Sequence, residues 1–197
     1  PYAEKLQFIL ENISDSLKDD EDFVYAQHKG NIQKVLLVVI TSNRGLCGAF
    51  NSNVIKRSIQ IAHEKYAEQL ANNNVDFFVI GKKGEEFLKK HKYHIVKSGN
   101  DLYDDLTFDH VSTLATSIMK QFASGNYDRI ELVYNQFKNA AVQILTDEQF
   151  LPVKVEEPKE EDESIRKTFT DYIYEPSKDY IVRELIPRSL RLQFYKA

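Results

Sequence analysis

One cysteine, Cys47, is all that the 197 residues contain. A lone thiol excludes an intramolecular disulfide framework and a multi-cysteine metal site, and it fits a reducing compartment. A long apolar run is also missing. None approaches the roughly 18 residues that suggest a membrane span, and the first residues lack the apolar core of a signal peptide. Any membrane association is therefore expected to run through partners. There is no excess of positive charge either: 26 basic and 30 acidic side chains leave a net −4. That gives no whole-chain electrostatic case for nucleic acid or an anionic membrane, although local patches stay open. No Ser, His and acid arrangement carries a hydrolase signature.

What is present suits one ordinary folded domain with appendages. Hydrophobic residues make up 42% and aromatics 12%, enough for a sizeable core at this length. Tyr2, Leu6, Ile9, Ile13 and Leu17 recur at steps of three and four, which predicts an amphipathic helix over 2–17. It has no cap at its start and looks cut rather than begun, and Pro1 in place of methionine suggests an excised fragment. Lys18 to Asn31 reads as a connector.

A strand is expected at Lys34 to Thr41, where the unbroken apolar run Val35 to Ile40 suggests burial on both faces, as in the middle of a parallel sheet. The polar turn that follows leads to a helix carrying Ile55, Ile59, Ala62, Tyr66 and Leu70, with Asn51 or Ser52 placed to cap its first turn. A second strand, Val75 to Ile80, a short helix ending near His91 and a weaker strand from Tyr93 to Lys97 come next. The helix through Val111, Ala115, Ile118, Met119 and Phe122 ends at Gly125 and Asn126. Strands at Arg129 to Phe137 and Ala141 to Leu151 are joined too closely to hold a crossover helix, so they should be antiparallel. Residues 153–167 concentrate acids around Pro158 and read as a mobile surface loop. Residues 168–174 suggest a short extended piece. Pro176 and Ser177 open a final helix in which Pro187 predicts a kink or a local break.

The alternation of strand and helix predicts an α/β fold: a Rossmann-like, largely parallel sheet with helices on both faces and an antiparallel terminal strand. The order of the strands is not readable from the sequence.

Several candidate sites weigh against plain structural roles. Gly45 and Gly48 follow a strand and precede a helix, yet neither G-x-G-x-x-G nor G-x-x-x-x-G-K-[ST] fits, and the second strand ends in VIGKK with no acid for a ribose. A tight turn displaying Arg44 is the preferred reading over a phosphate cradle. Cys47 has no His nearby in sequence and is expected to pack rather than react. His91 and His94 could chelate a metal only on a continuous helix, which the strand through His94 forbids. Asp101, Asp104, Asp105 and Asp109 do not match a calcium loop and are expected to start a helix. No cofactor or metal site is expected, and no catalytic residue is assigned.

TSNRGLCGAFN at 41–51 closely resembles the signature loop of the γ subunit of rotary F-type ATP synthases. PYAEKL at the start, DYIYEPS at 171–177 and LIPRSLRLQFYKA at 185–197 are similar to that family's segments in the same order. Asn43 stands where an aspartate is common. The resemblance implies a non-catalytic central-stalk rotor subunit. Proton-driven c-ring rotation would turn it and change nucleotide affinities at the catalytic β subunits. It also implies that residues 1–17 end an N-terminal shaft helix, that 18–176 form the globular foot and that 177–197 begin a C-terminal shaft helix, the two stumps of an antiparallel coiled coil. The foot would fold alone without transmitting torque.

The implied partners are the α and β subunits, the ε subunit and the c-ring, with no nucleic acid. The implied location is peripheral, on the cytoplasmic face of a bacterial plasma membrane. By the same resemblance Arg44 faces an acidic loop of the β subunits, and Tyr172, Ile173 and Tyr174 lie near the c-ring and ε. The alternatives for these residues are a turn arginine satisfied by local carbonyls and aromatics packed on their own sheet. For the whole chain, the alternatives are an α/β nucleotide-binding enzyme or sensor domain, and a bare interaction module with no rotary role.

Overall fold

The computed structural model describes residues 24–26, 30–139, 142–153 and 180–197. The expected helix over 2–17, most of the acidic loop and the piece at 168–174 lie outside the described residues.

Five strands form one sheet: β1 Val35–Ile40, β2 Val75–Ile80, β3 Ile95–Ser98, β4 Arg129–Asn139 and β5 Val142–Leu151. Their order is β3-β2-β1-β4-β5. The pairs β1–β2, β1–β4 and β2–β3 are parallel, and β4–β5 is antiparallel, as the short link requires. Among the described residues, five α-helices accompany them: α1 Phe50–Glu64, α2 Ala67–Ala71, α3 Lys82–Lys90, α4 Phe108–Ala123 and α5 Ile186–Lys196.

β1 is central, and residues Val35 to Val39 are all at most 3% exposed. Its side chains alternate between two cores. Val35, Leu37 and Val39 join Phe77, Val79 and Leu88 beneath α1 and α3. Leu36 and Val38 join Phe78, Ile130 and Leu132 beneath α4 and α5. A strand covered on both sides cannot alternate apolar with polar, which explains the unbroken run in the sequence. Full burial of each such side chain contributes about 1.5–3 kcal/mol.

Two acids sit inside this apolar frame, and each has its own set of donors. Glu131 on β4 receives the Lys65 ammonium and the Tyr66 hydroxyl. Burial, followed by that carboxylate, pushes the Tyr66 phenol far above its ordinary value. The same contact corrects the expectation of one helix through Leu70. The helix ends at Glu64, and Tyr66 takes φ −126°, which turns its ring to Glu131 before α2 starts. Asp76 on β2 receives Tyr127 Oη at 2.8 Å, His94 Nδ1 at 2.7 Å and Lys34 Nζ at 3.2 Å. Burial alone would raise its carboxyl, but these donors outweigh burial and hold it below the usual value.

The acids around 101–109 divide their roles. Asn100–Asp104 forms a 3-10 turn, and Asp109 lies in the first turn of α4, whose cap is Thr107. The final helix carries a π-turn over Ile181–Leu185, next to Pro187. The expected break is therefore a phase reset rather than an interruption. Ile181, Val182, Ile186, Leu190 and Phe194 are all buried.

Candidate functional site: the loop between the first strand and the first helix

Residues 42–49 leave the carboxyl end of β1 and enter α1. This is the edge where open parallel sheets bind ligands, and the change in winding direction falls between β1 and β4. Three polar side chains fix the loop. Asn51 Oδ1 accepts from the Ser42 amide at 2.9 Å, while its Nδ2 donates to the Arg44 carbonyl at 3.2 Å and approaches Cys47 Sγ at 3.1 Å. The Ser42 hydroxyl donates to the same Arg44 carbonyl at 2.6 Å. Asn43 spans to the next loop, donating to the Asn100 carbonyl at 3.1 Å and accepting from the Lys82 amide at 2.9 Å. An aspartate at 43 would keep the second bond and lose the first.

Two expectations are corrected here. α1 is capped by Ala49 with no side-chain bond, because Asn51 is engaged backwards into the loop and Ser52 Oγ donates to the Ala49 carbonyl at 3.1 Å. Cys47 is exposed rather than packed, with its sulfur accepting from Asn51. An exposed position is open to a small, weakly polar thiol because the loop's order comes from the asparagines.

With its carbonyl held inward by two donors, Arg44 exposes its side chain, which has no partner among the described residues. Next to it, Leu46 is fully exposed and adopts φ +63°. A left-handed non-glycine residue costs roughly 1–2 kcal/mol, and an isolated exposed leucine recovers none of it by burial. Sequence reading missed Leu46. The available signal was an apolar residue isolated among turn residues. Gly48, at φ +58° with open space around it, is used for its backbone freedom.

Both amides that flank the turn are already engaged and so are not available to a phosphate cradle. The Ser42 amide is used on Asn51, and the Phe50 amide donates to the Cys47 carbonyl at 3.3 Å. Tyr103 Oη donates to the Thr41 carbonyl at 2.7 Å, and Asn135 Nδ2 to the Phe50 carbonyl at 2.8 Å, so the switch point carries side chains of the protein itself. The histidines do not converge: His91 Nδ1 pairs with the Phe87 carbonyl, and His94 Nδ1 with Asp76. Among the described residues no three metal-ligating side chains cluster. Tyr172, Ile173 and Tyr174 lie outside the described residues. Arg44 is thus the one predicted interface residue whose surroundings can be read. What the geometry offers is a tip braced by Ser42, Asn43 and Asn51 that presents a cation and an apolar side chain.

A family model described as ATP synthase matches residues 1–197. An ATP synthase gamma chain of Cytophaga hutchinsonii is 46% identical over the whole chain, and one of Flavobacterium johnsoniae is 49% identical. The chain spans 65% and 64% of those two relatives, respectively. The central stalk of the Tetrahymena thermophila mitochondrial ATP synthase shares the fold, with a TM-score of 0.56 at 21% identity, covering all of this chain and 84% of that one. The nucleotide-binding enzyme alternative finds no support among these relatives. With the signature loop in place and the whole length matched, the chain belongs to the ATP synthase gamma-chain family.

Proposed function

We propose that this chain is the globular foot of the central rotor of a bacterial-type F-type ATP synthase. Non-catalytic by itself, it couples c-ring rotation to conformational change at the catalytic β subunits. The observation that carries this reading is the loop tip. Asn51 and Asn43 immobilise its backbone while Arg44 and Leu46 project outward. A mechanical contact needs that stiffness, since a mobile loop would absorb displacement instead of passing it on. Arg44 is the cation, and its planar fork suits carboxylates on an acidic loop of a β subunit. Leu46 adds an apolar contact whose burial against a partner would offset its backbone cost.

The Tyr172 to Tyr174 segment is assigned to the c-ring and ε side of the same foot. No helix among the described residues is long and apolar enough to cross a membrane. The chain then reaches the cytoplasmic face of the plasma membrane through its partners. Titration with the isolated ε subunit of the same organism tests the reading, with ATP and NAD as parallel ligands. Saturable ε binding, with no nucleotide-dependent change at Arg44 to Gly48, is expected. Tight nucleotide binding at that loop without ε contact would overturn it.

A further inference from the structure

On a chain of net charge −4, residues 89–97 carry four lysines and two histidines and no acid. They border an open cleft of about 580 Å³ at the amino ends of β2 and β3, the opposite end of the sheet from Arg44. Asn73, Lys89, Lys92, Tyr93, His94 and Ile95 line it. Part of this charge has an ordinary explanation. Lys89 and Lys90 complement the negative end of the α3 macrodipole, and Lys89 Nζ is engaged with Glu85 at 2.5 Å. Lys97 sits on an edge strand, where lysine discourages pairing with other chains.

The side chains of Lys92 and His94 are not covered by those explanations. Lys92 follows the carboxyl end of α3 at φ +61°, a position where glycine or asparagine is the inexpensive choice. Asn73, across the cleft, meets the equivalent requirement at φ +56° with the cheaper residue. The backbone turn itself closes α3, with the Lys92 amide donating to the Lys89 carbonyl and the Tyr93 amide to the Leu88 carbonyl, each at 3.0 Å, so what is left to explain is the choice of a cationic side chain there.

His94 is oriented from behind. Asp76, whose side chain is 2% exposed, is an ionised acceptor, so the 2.7 Å contact makes Nδ1–H the donor. That leaves Nε2 for the cleft. Lys34 ahead of β1 and Tyr127 ahead of β4 share the Asp76 carboxylate with this ring, and Lys89, Lys92 and Tyr93 line the cleft beside it. No carboxylate lines the cleft itself.

We propose that this cleft binds a phosphate-class oxyanion between the Lys92 ammonium and the outer nitrogen of the His94 ring, with the Asn73 amide as a further donor. A cation, an amide and an imidazole nitrogen lining one concavity suit the oxygens and residual hydroxyl of a phosphate-class anion. The site is independent of the rotor reading, because it uses neither the loop at Arg44 nor any partner subunit.

The test is a backbone amide NMR titration of the 197-residue chain with pyrophosphate at about 150 mM salt, where exposed charges more than roughly 8 Å apart are screened. Saturable shifts confined to Asn73 and Lys92 to Ile95 are expected. Lys92→Gly is the decisive variant, since it relieves the backbone strain while removing the cation. Its thermal midpoint should hold or rise while affinity falls at least about tenfold. A parallel arm measures co-sedimentation with phosphatidylglycerol vesicles against phosphatidylcholine vesicles. Pyrophosphate binding lost in Lys92→Gly supports the site with a free phosphate as source. Selective phosphatidylglycerol binding lost in the same variant supports it with a lipid headgroup as source. Absence of both, or binding undiminished in Lys92→Gly, would overturn the proposal.

Discussion

Gly81 passes so close to Thr41 that a Cβ on the glycine would lie 2.1 Å from the threonine carbonyl oxygen. Gly81 also has φ +103°. Thr41 is fully buried and ties three elements together: its amide donates to the Ile80 carbonyl at 2.7 Å, its hydroxyl accepts from the Gly84 amide at 2.9 Å, and its carbonyl accepts from Tyr103. Gly81→Ala therefore meets both an unfavourable backbone angle and a backbone obstacle that cannot rotate away. We expect a loss of at least about 2 kcal/mol, read from the urea midpoint. A wild-type midpoint would mean that the β2–α3 turn relaxes freely and does not brace the loop.

Asn51 and the Arg44 backbone form the second brace. Asn51→Asp is close to isosteric and keeps the acceptor for the Ser42 amide, but it cannot donate to the Arg44 carbonyl. The expected cost is about 1 kcal/mol or slightly more. Faster hydrogen exchange should be confined to residues 42–49. In the assembled complex this variant should weaken coupling although Arg44 itself is unchanged. Arg44→Ala should do the reverse, leaving stability within about 0.5 kcal/mol of wild type while impairing coupling. If both variants behave alike in both assays, the separation of brace from contact fails.

The donors around Asp76 give the acid limb of the stability curve a definite sign. Its folded carboxyl lies below the ordinary value of 3.8, despite burial, because of His94, Tyr127 and Lys34. That stability is complete above the unfolded value and is lost as pH falls through the depressed folded value. The wild type should therefore lose stability below about pH 4, as Asp76 and its peers protonate. Asp76→Asn should be less stable by about 1–3 kcal/mol at neutral pH, with the gap closing towards pH 3. A gap that is constant with pH would show that the carboxylate charge does not matter there.

The legible parts of this fold share one physical reason. β1 reads clearly because burial on both faces leaves no room for polar residues, β2 because Asp76 near its start is the one polar residue in a buried run, and α4 because Val111, Ala115, Ile118, Met119 and Phe122 keep to one buried face. The antiparallel pair followed from the length of its connection. The break at Tyr66 was hidden because its cause, Glu131, is 65 residues away. Strand order is also non-local, and nothing in the spacing of β1, β2 and β4 says which two flank the first. Within the site, the loop was recognised from its residues, but the direction of Asn51 was misjudged. An asparagine two residues into a helix can bond forward or backward with equal local chemistry. The exposure of Cys47 and Leu46 likewise depends on where the loop ends up, and composition does not encode that.

The π-turn beside Pro187 poses the last question: whether the proline or the packing sets it. The Ile186 amide bonds to the Ile181 carbonyl, five residues back, so the turn holds one residue more than an α-helical turn. Conversion to regular α-helix would rotate everything before Ile186 by roughly 100°. That would carry Ile181, now 1% exposed, out of the core that also holds Ile186. Losing one buried isoleucine costs about 2–5 kcal/mol by analogy with truncation. An interior proline costs an α-helix about 3 kcal/mol, but here the π-turn already absorbs much of that penalty. Packing should therefore dominate. Pro187→Ala is expected to keep the π-turn, with Ile181 amide protection unchanged and stability altered by less than about 1 kcal/mol. Ile181→Ala, with the proline retained, should cost at least about 2 kcal/mol. Should Pro187→Ala instead give regular α-helical carbon shifts through Arg183, the proline would be the cause of the π-turn and the packing of Ile181 its consequence.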